Sequence, residues 1–446
     1  MKKKLFFFIA LCLLFSLTSK AQDAELLAAR DNVVAFIKSL QYDSGAGDAA
    51  GAFRKSNAPA YRDGATDMYF VEPYFTHIAC MALLTADETT AVRGWMNWYI
   101  GKTTLYNPIV YVGELLGGPY ADPLMMNYFY DSIGGNTTTC PPDPPMPAAT
   151  NCTEIDAEDS DPALFFMVAY KYFQKTEDHT FFDATTEAKL DGFVSFIYDH
   201  LYNQTAGLTY AKRAWKACYT MDNSEVYAGL LAYLKIKEEI YEEDIDTPTG
   251  GATDPITYAK TMISSIETNI FAQNMYPLST NLTPDYASYK LFGGGDFDND
   301  GTLDNDCCSG YLSGENMYAF TPMMWPALFG VDDNFNSTAA SYTRTLINDA
   351  MRGWSEKDWI KSATSGGFWD ASVGYFFTLS SDPAFQALGR AQALNAAEVS
   401  FRPGIPAGEL HISSMIADAA WTLLNLQILI NGANDEYILY KGIVNP

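Results

Sequence analysis

The stretch that decides the fold is Cys218-Tyr219-Thr220-Met221-Asp222-Asn223-Ser224-Glu225-Val226-Tyr227-Ala228-Gly229-Leu230. In this stretch a polar segment that contains an aromatic residue leads directly into a strongly apolar helix. Asp222, followed three residues later by Glu225, has the form of a capping box at a helix start. The same construction, a loop rich in Asp, Tyr or Trp that enters an apolar helix, recurs along the chain.

Helical periodicity predicts about twelve helices in pairs. One member of each pair is apolar nearly all round and the other is amphipathic, which places the first inside and the second outside. Six inner and six outer helices that close on themselves form an all-α (α/α)6 toroid of helical hairpins. Since the inner helices then run in one direction, their N-termini and the long entering loops lie at one face. The predicted helices are 24–40, 73–85, 87–101, from Pro162, 186–201, 223–240, 255–272, 315–329, 337–353, 371–379, 382–399 and 412–430. Strand signals are sparse, and the best is 109–112.

The first residues have the features of a secretory signal peptide. A basic start is followed by the apolar core 5–17 and by the small-residue junction Ser19-Lys20-Ala21. We therefore expect residues 1–21 to be removed and residues 22–446 to form a single barrel domain. The mature protein is expected in the periplasm or outside the cell. No later apolar run is long enough for a membrane span, so no membrane insertion is predicted.

Charge and composition narrow the range of partners. The net charge is -26, which argues against nucleic acid and anionic membrane surfaces, because phosphate binding relies on Lys and Arg. A chain that is 48% hydrophobic and 14% aromatic can bury a large core. We expect a monomer with no organic cofactor. The substrate is expected to be neutral, or to have its charges paired locally with opposite charges.

Six cysteines follow the signal segment, and an exported chain permits disulfides. Cys140 and Cys152 bracket a proline-rich loop, so this pair is favoured. The adjacent Cys307 and Cys308 could bond each other, reach Cys80 or Cys218, or stay reduced.

An acidic loop has the spacing of a calcium site. The sequence places Gly301 at the sharp turn, and position 12 is Cys307 rather than Glu. The loop therefore resembles the single calcium loops of dockerin or thrombospondin-type repeats more than a paired EF-hand. We expect one structural Ca²⁺ that stiffens the loop 292–312, and the alternative is a solvated acidic turn. The ligands at positions 1, 3, 5, 7 and 9 are Asp296, Asp298, Asp300, the carbonyl of Thr302, and Asp304.

Four motifs together resemble the six-hairpin glycosidase superfamily, in particular secreted bacterial members of Bacteroidetes type. They are Glu72-Pro73-Tyr74-Phe75, Asp156-x-x-Asp159-Ser160, Gly207-Leu208-Thr209-Tyr210 and Met221-Asp222-Asn223-x-Glu225. The resemblance implies an (α/α)6 barrel that acts on carbohydrate, commonly by inversion with two carboxylic residues. This chain departs from the pattern with Asp161 after Asp-Ser and with insertions at 131–155 and 292–310, which leaves the substrate class open.

Glycoside hydrolysis requires a protonated acid at the leaving oxygen and a second carboxylate. At the predicted mouth we favour Asp159 paired with Asp222 or Glu225, with Asp67 as the next candidate. The acid and base roles stay open, because they depend on burial. Asp222 and Glu225 could instead form only a capping box. Asp161 is interpreted as an N-cap, whereas Asp159 lies outside the first turn. Further carboxylates at the mouth are Glu72, Asp156, Asp370 and Glu409.

Aromatic residues in the approach loops could stack on sugar rings, although burial in the core is the usual fate of an aromatic. Glu72 and His411 complete the predicted substrate site. His411 could carry a proton or bind a uronate carboxylate, and the alternative is a structural role. The aromatic candidates are Tyr69, Tyr210, Trp215, Tyr219 and Trp369.

The sequence therefore predicts a secreted glycoside hydrolase that acts on an oligo- or polysaccharide. One rival is a polysaccharide lyase or an unsaturated-uronide hydrolase on the same barrel, and the paucity of Arg and His near the mouth counts against the lyase. The other rival is a glycan-binding protein whose barrel has lost its carboxylate pair.

Overall fold

The fold is seen in a computed structural model. It describes residues 24–108, 124–135, 137–138, 155, 157–214, 216, 218–248, 251–274, 325–331, 368–380, 383–401, 415–433 and 438–443. The chain is mostly helical and forms an all-α toroid, as its periodicity predicts. None of the helices within these ranges is long and apolar enough to cross a membrane.

Eleven α-helices lie within the described ranges. They are α1 (24–39), α2 (Pro73–Thr85), α3 (Thr89–Lys102), α4 (Ser160–Thr176), α5 (Ala184–Phe196), α6 (Thr220–Glu239), α7 (Pro255–Asn274), α8 (Trp325–Leu328), α9 (Phe368–Leu379), α10 (Pro383–Val399) and α11 (Ile416–Asn431). The strands are β1 (Tyr61–Asp63), β2 (Thr66–Val71), β3 (Tyr128–Asp131), β4 (Thr137–Thr138), β5 (Tyr202–Asn203) and β6 (Leu208–Thr209). The predicted outer helix 337–353 lies outside the described residues.

The inner helices form a closed ring. Helix α2 packs against α4, α4 against α6, and α6 against α8. Helix α9 packs against α11, and α11 packs against α2, which joins the last helix to the first inner one. The rings of Trp325 in α8 and Trp421 in α11 meet edge to face at 5.8 Å. Outside this ring, α3 contacts α2 and α4, α7 contacts α5 and α6, and α10 contacts α9 and α11.

Burial of apolar surface explains the ring. In α4, every residue from 160 to 170 is buried, and the side chains of Phe165 and Phe166 are fully inaccessible. This part of the helix exposes no face to water, so it is stable only when other helices surround it. Each fully buried Phe, Leu or Val contributes about 1.5–3 kcal/mol relative to an exposed one.

A four-stranded antiparallel sheet was not predicted. Its order is β1-β2-β3-β4, and all four strands lie outside the predicted helices. In β2 the buried residues are Met68 and Val71, so burial does not alternate along the strand. Without alternation a strand gives no period-2 signal. The predicted strand 109–112 lies outside the described residues.

Helices α4 and α6 approach each other closely at Gly229. A Cβ atom at this position would lie 2.3 Å from the backbone oxygen of Ala163. That distance is far inside van der Waals contact, and a backbone atom cannot move away as the end of a flexible side chain can. The two helices can therefore pack at this separation only with glycine at 229.

We predict that Gly229→Ala lowers the melting temperature strongly or prevents folding, because it forces α4 and α6 apart at a cost of at least about 1–3 kcal/mol. Gly101→Ala in α3 is the matched control. A Cβ atom at Gly101 would meet no atom within 4 Å, so this change should be neutral or slightly stabilising. Thermal unfolding followed by circular dichroism measures both. Equal stability of the two variants would contradict the close approach.

Candidate active site

The starts of three inner helices meet at Glu225. Its carboxyl oxygen Oε1 accepts hydrogen bonds from the Tyr74 hydroxyl and from the Trp325 indole N–H, both at 2.7 Å. Tyr74 is the second residue of α2, Trp325 is the first residue of α8, and Glu225 lies in the second turn of α6. Glu225 is fully buried. One carboxylate therefore connects helices that are far apart in the sequence.

Asp159 stands at the N-cap of α4, where its Oδ1 accepts the backbone N–H of Ser160 at 2.8 Å. Its Oδ2 accepts the Thr209 hydroxyl at 2.7 Å. Thr209 ends β6 and is held by Asn223, whose amide side chain accepts the Thr209 N–H at 2.8 Å and donates to the Thr209 carbonyl at 3.0 Å. Asn223 lies two residues before Glu225 in α6. The loop that carries Thr209 is thus fixed to the helix that carries Glu225.

Burial changes the protonation of both carboxyls. Burial raises the pKa of Glu225 to about 8, although the hydrogen bonds from Tyr74, Trp325 and Ser160 oppose this shift. The nearby charge of Asp159 raises it further. Burial also raises the pKa of Asp159 to about 7, against the hydrogen bonds from Thr209 and Ser160. Two acidic groups close enough to influence each other titrate as a pair near neutral pH.

The two carboxyls are not equivalent. Both oxygens of Asp159 accept hydrogen bonds, which favours its ionised form. In Glu225 the bonds from Tyr74 and Trp325 both go to Oε1, and Oε2 has no regular hydrogen-bond partner, even though the Ser160 hydroxyl lies close enough to lower the pKa. Oε2 is therefore the natural position for a proton that the group can donate.

A buried ion pair anchors the loop beside this site. The guanidinium of Arg213 donates to Glu158 Oε1 at 2.6 Å through Nη2 and at 3.1 Å through Nε. The Arg213 backbone N–H also donates to Glu158 Oε2 at 2.8 Å. Glu158 directly precedes Asp159, so the pair holds the segment after β6 against the start of α4. Removal of one partner from a buried pair costs about 3–5 kcal/mol.

Two N-cap interpretations from the sequence are wrong. Helix α6 begins at Thr220 with Tyr219 at its N-cap, so Asp222 and Glu225 lie inside the helix and form no capping box. Helix α4 begins at Ser160, which makes Asp159 the N-cap and puts Asp161 in the first turn. Both helices start earlier than predicted.

Of the four predicted catalytic residues, Asp159 and Glu225 come together. Asp222 is buried in the first turn of α6. Asp67 lies in β2 opposite Arg62, and the Arg62 Nε donates to its Oδ1 at 2.6 Å. Asp67 is partly exposed, and within the described residues no hydrogen bond or ion pair joins it to Asp159 or Glu225.

The predicted substrate-binding aromatics are placed differently. Tyr210 is buried, and its hydroxyl accepts the Asn203 side-chain N–H at 2.6 Å, as in the core alternative. Tyr69 is half-buried under the Arg54 guanidinium, which lies 4.9 Å from the ring centre. Tyr219 is half-buried at the start of α6.

The remaining predicted residues are less fully described. Glu72 is the buried N-cap residue of α2 and forms an ion pair with Lys55. Trp369 lies in α9, and its side chain is outside the described residues, as are Trp215 and His411 entirely.

The predicted calcium loop and its ligands also lie outside the described residues, as do Cys140 and Cys152. Within the described ranges no group of three or more His, Cys, Asp or Glu side chains could hold a metal ion. The calcium ligands predicted there are Asp296, Asp298, Asp300, Thr302 and Asp304.

Sequence reasoning missed the partners that define the site. Tyr74, Thr209 and Asn223 stand in motifs that carry the family resemblance, and Trp325 lies in the predicted helix 315–329, but none of the four is among the predicted site residues. The separation of Tyr74 from Glu225 is 151 residues, so no local spacing could have paired them. The polar residues inside an otherwise apolar helix start were the available signal.

Comparison with solved structures agrees with this fold. The chain is similar to structures described as a glycosidase, in a wild-type form and in forms with single substitutions. The wild-type form has a TM-score of 0.51 with 11% identity, and the match covers 92% of this chain and 98% of that one. Two substituted forms give TM-scores of 0.52 and 0.53 with 11% identity, and each match covers 94% of this chain and 98% of the other. At this identity the likeness establishes the glycosidase-like fold. No family model matches the chain. No curated protein matches it.

The raised pKa of Glu225 makes a prediction about stability. Its folded pKa of about 8 exceeds the ordinary value of 4.5, so the unfolded chain releases the proton more readily and stability falls as pH rises between these values. Glu225→Gln removes this loss. The free energy of unfolding of the variant, relative to that of the natural protein, should therefore increase from pH 5 to pH 8 by up to about 1.4 kcal/mol per pH unit. Melting temperatures measured across this pH range report the change. Glu267→Gln on the outer helix α7 is the control, and its stability should change with pH in the same way as that of the natural protein. A constant difference for Glu225→Gln would contradict the buried, protonated carboxyl.

Proposed function

We propose that the protein is a glycoside hydrolase in which Glu225 is the general acid and Asp159 is the carboxylate that activates water. One observation carries the proposal: two carboxyls from neighbouring inner helices are fully buried side by side, and this burial raises their pKa values to about 8 for Glu225 and about 7 for Asp159. Glycosidases need one carboxyl that stays protonated near neutral pH and one that ionises. The fold likeness to glycosidases supports this class of reaction.

The roles follow from the hydrogen bonds. Glu225 is mostly protonated at pH 7, and its Oε2 would deliver the proton to the leaving oxygen. Tyr74 and Trp325 hold Oε1 and stabilise the carboxylate that remains. Asp159, whose ionised form Thr209 and Ser160 stabilise, would accept a proton from the attacking water. Attack by water in a single displacement inverts the anomeric carbon, and proton NMR of the first product tests this.

The burial of the pair favours a second candidate. Neither carboxyl has exposed surface, so a sugar could reach Glu225 only after covering groups move aside. A barrel in which the two carboxyls only hold the inner helices together would show the same burial. The second candidate is therefore a glycan-binding protein without catalysis.

The wider proposal keeps the expectations from the sequence. The protein would be exported, monomeric, joined by a Cys140–Cys152 disulfide and active on an oligo- or polysaccharide. One structural Ca²⁺ would be held by the loop 296–304. The signal-like start supports export, the spacing of the acidic loop supports the calcium site, and the proline-rich loop between the two cysteines supports the disulfide.

We predict that the purified chain without residues 1–21 releases new reducing ends from at least one member of a polysaccharide panel. Glu225→Gln should lower the rate about 10²–10⁴-fold, the usual contribution of a general acid. Asp159→Asn should cause a loss of similar size, because an amide cannot take the proton of water.

Asp67→Asn is the control, because Asp67 lies in the β1–β2 hairpin with Arg62. It should keep at least about half of the activity. Ultraviolet absorbance of an unsaturated product would instead assign a lyase. Retention on one glycan without any product would make glycan binding the function.

The pH dependence of the rate is a separate prediction. Activity should rise as Asp159 ionises around pH 7 and fall as Glu225 loses its proton around pH 8, which gives a narrow optimum between these values. The limbs belong to the coupled pair. A kcat/KM profile with an optimum below pH 5 would refute the assignment of Glu225 as the acid.

A further inference from the structure

A second buried polar cluster lies one helical turn from Tyr74. It consists of His77 in α2, Trp95 and Tyr99 in α3, and Asp161 in α4, and all four side chains are fully inaccessible. The Tyr99 hydroxyl donates to Asp161 Oδ2 at 2.7 Å, and His77 Nε2 lies 3.2 Å from Asp161 Oδ1. The Trp95 indole N–H donates to His77 Nδ1 at 3.2 Å. The cluster therefore joins three helices.

The indole of Trp95 determines the tautomer of His77. An indole N–H can only donate, so Nδ1 of His77 must be the acceptor and the ring proton is on Nε2. That proton faces Asp161, although the N–H does not point straight enough at Oδ1 for a regular hydrogen bond. Asp161 lies in the first turn of α4. The contact is thus between the Nε2–H group of His77 and a carboxyl oxygen of Asp161.

The positions of these residues connect the cluster to the carboxyl pair. Tyr74 and His77 are three residues apart in α2 and so lie on adjacent turns of one face. Tyr74 reaches Glu225 in α6, whereas His77 reaches Asp161 in α4. Asp161 follows Asp159 by two residues. Helix α2 is consequently tied to both helices that supply a carboxyl.

We propose that His77, Tyr99 and Asp161 are positioning residues: His77 and Asp161 hold α2 against α4, and Tyr99 from α3 fixes the Asp161 carboxyl for that contact, so that the Tyr74 hydroxyl stays bonded to Glu225. The inference rests on the proposed function where it concerns catalysis. Its structural content, the dependence of Glu225 on the distant cluster, stands on the hydrogen bonds alone. A purely structural cluster would support folding and leave the ionisation of Glu225 unchanged.

The test compares two changes that each delete one hydroxyl from a buried tyrosine bonded to a carboxylate. Tyr99→Phe removes the bond to Asp161. Tyr170→Phe is the matched control. It removes the 2.9 Å hydrogen bond from Tyr170 in α4 to Glu239, the last residue of α6, which lies at the end of α6 away from Glu225. Infrared spectroscopy follows the band of the protonated Glu225 carboxyl, identified by its loss in Glu225→Gln.

We expect Tyr99→Phe to raise the titration midpoint of that band by about half a pH unit or more, because a loosened Tyr74 stabilises the Glu225 anion less. On a glycan that the natural protein cleaves, kcat should fall about tenfold or more with KM little changed, since small misplacements can cost up to about 10²-fold. Tyr170→Phe should alter neither quantity.

Nitrogen-15 NMR of labelled histidine should show the Nε2–H tautomer for the signal that is lost in His77→Gln.

An unchanged midpoint in folded Tyr99→Phe, or an equal shift in both tyrosine variants, would overturn the proposal. A His77 proton on Nδ1 would overturn it as well. If the natural protein cleaves no glycan, the proposed function fails while the infrared midpoint still decides the positioning role. Should Tyr99→Phe not fold, Asp161→Asn, which keeps the shape of the side chain, takes its place in the same measurement.

Discussion

The structure depends on the burial of one carboxyl, that of Glu225. A carboxyl taken out of water is unfavourable unless hydrogen bonds replace its hydration. The two replacements, from Tyr74 and Trp325, come from two other inner helices and reach Glu225 only once the ring has assembled. Assembly of the ring and assembly of the site are therefore the same event. The two hydrogen bonds replace only part of the lost hydration, and the pKa of Glu225 is therefore still raised.

The approach of α4 to α6 sets the distance between the two carboxyls. Because Gly229 allows the helices to touch at Ala163, Asp159 and Glu225 are near enough for one charge to raise the pKa of the other. Apolar contacts such as that between Phe166 and Tyr233, with ring centres 5.3 Å apart, keep the helices together. Hydrophobic packing thus stabilises an electrostatic arrangement that would be unfavourable by itself.

Much of the architecture could be predicted from the sequence, because apolar periodicity is a local property. Helix α2 has the predicted bounds, and several others differ by a few residues at their ends. The capping-box interpretation failed because Asp-x-x-Glu fits a helix start and a helix interior equally well. The sheet was missed because Met68 and Val71 break the alternation of a strand. The partners of Glu225 could not be predicted, since only the closed ring brings Tyr74 and Trp325 to it.

The distribution of polar residues along the inner helices explains why chemistry would be confined to one end. In α6, three consecutive residues near the start each have a polar partner: Asn223 bonds Thr209, Ser224 bonds the Thr220 carbonyl at 2.6 Å, and Glu225 bonds Tyr74 and Trp325. From Val226 to Leu230 the buried residues are Val, Tyr, Ala, Gly and Leu. A polar side chain persists inside a ring of apolar helices only where donors from neighbouring helices converge. The starts of α2 and α8 provide such donors to Glu225, and this explains why the carboxyl pair is stable where it lies.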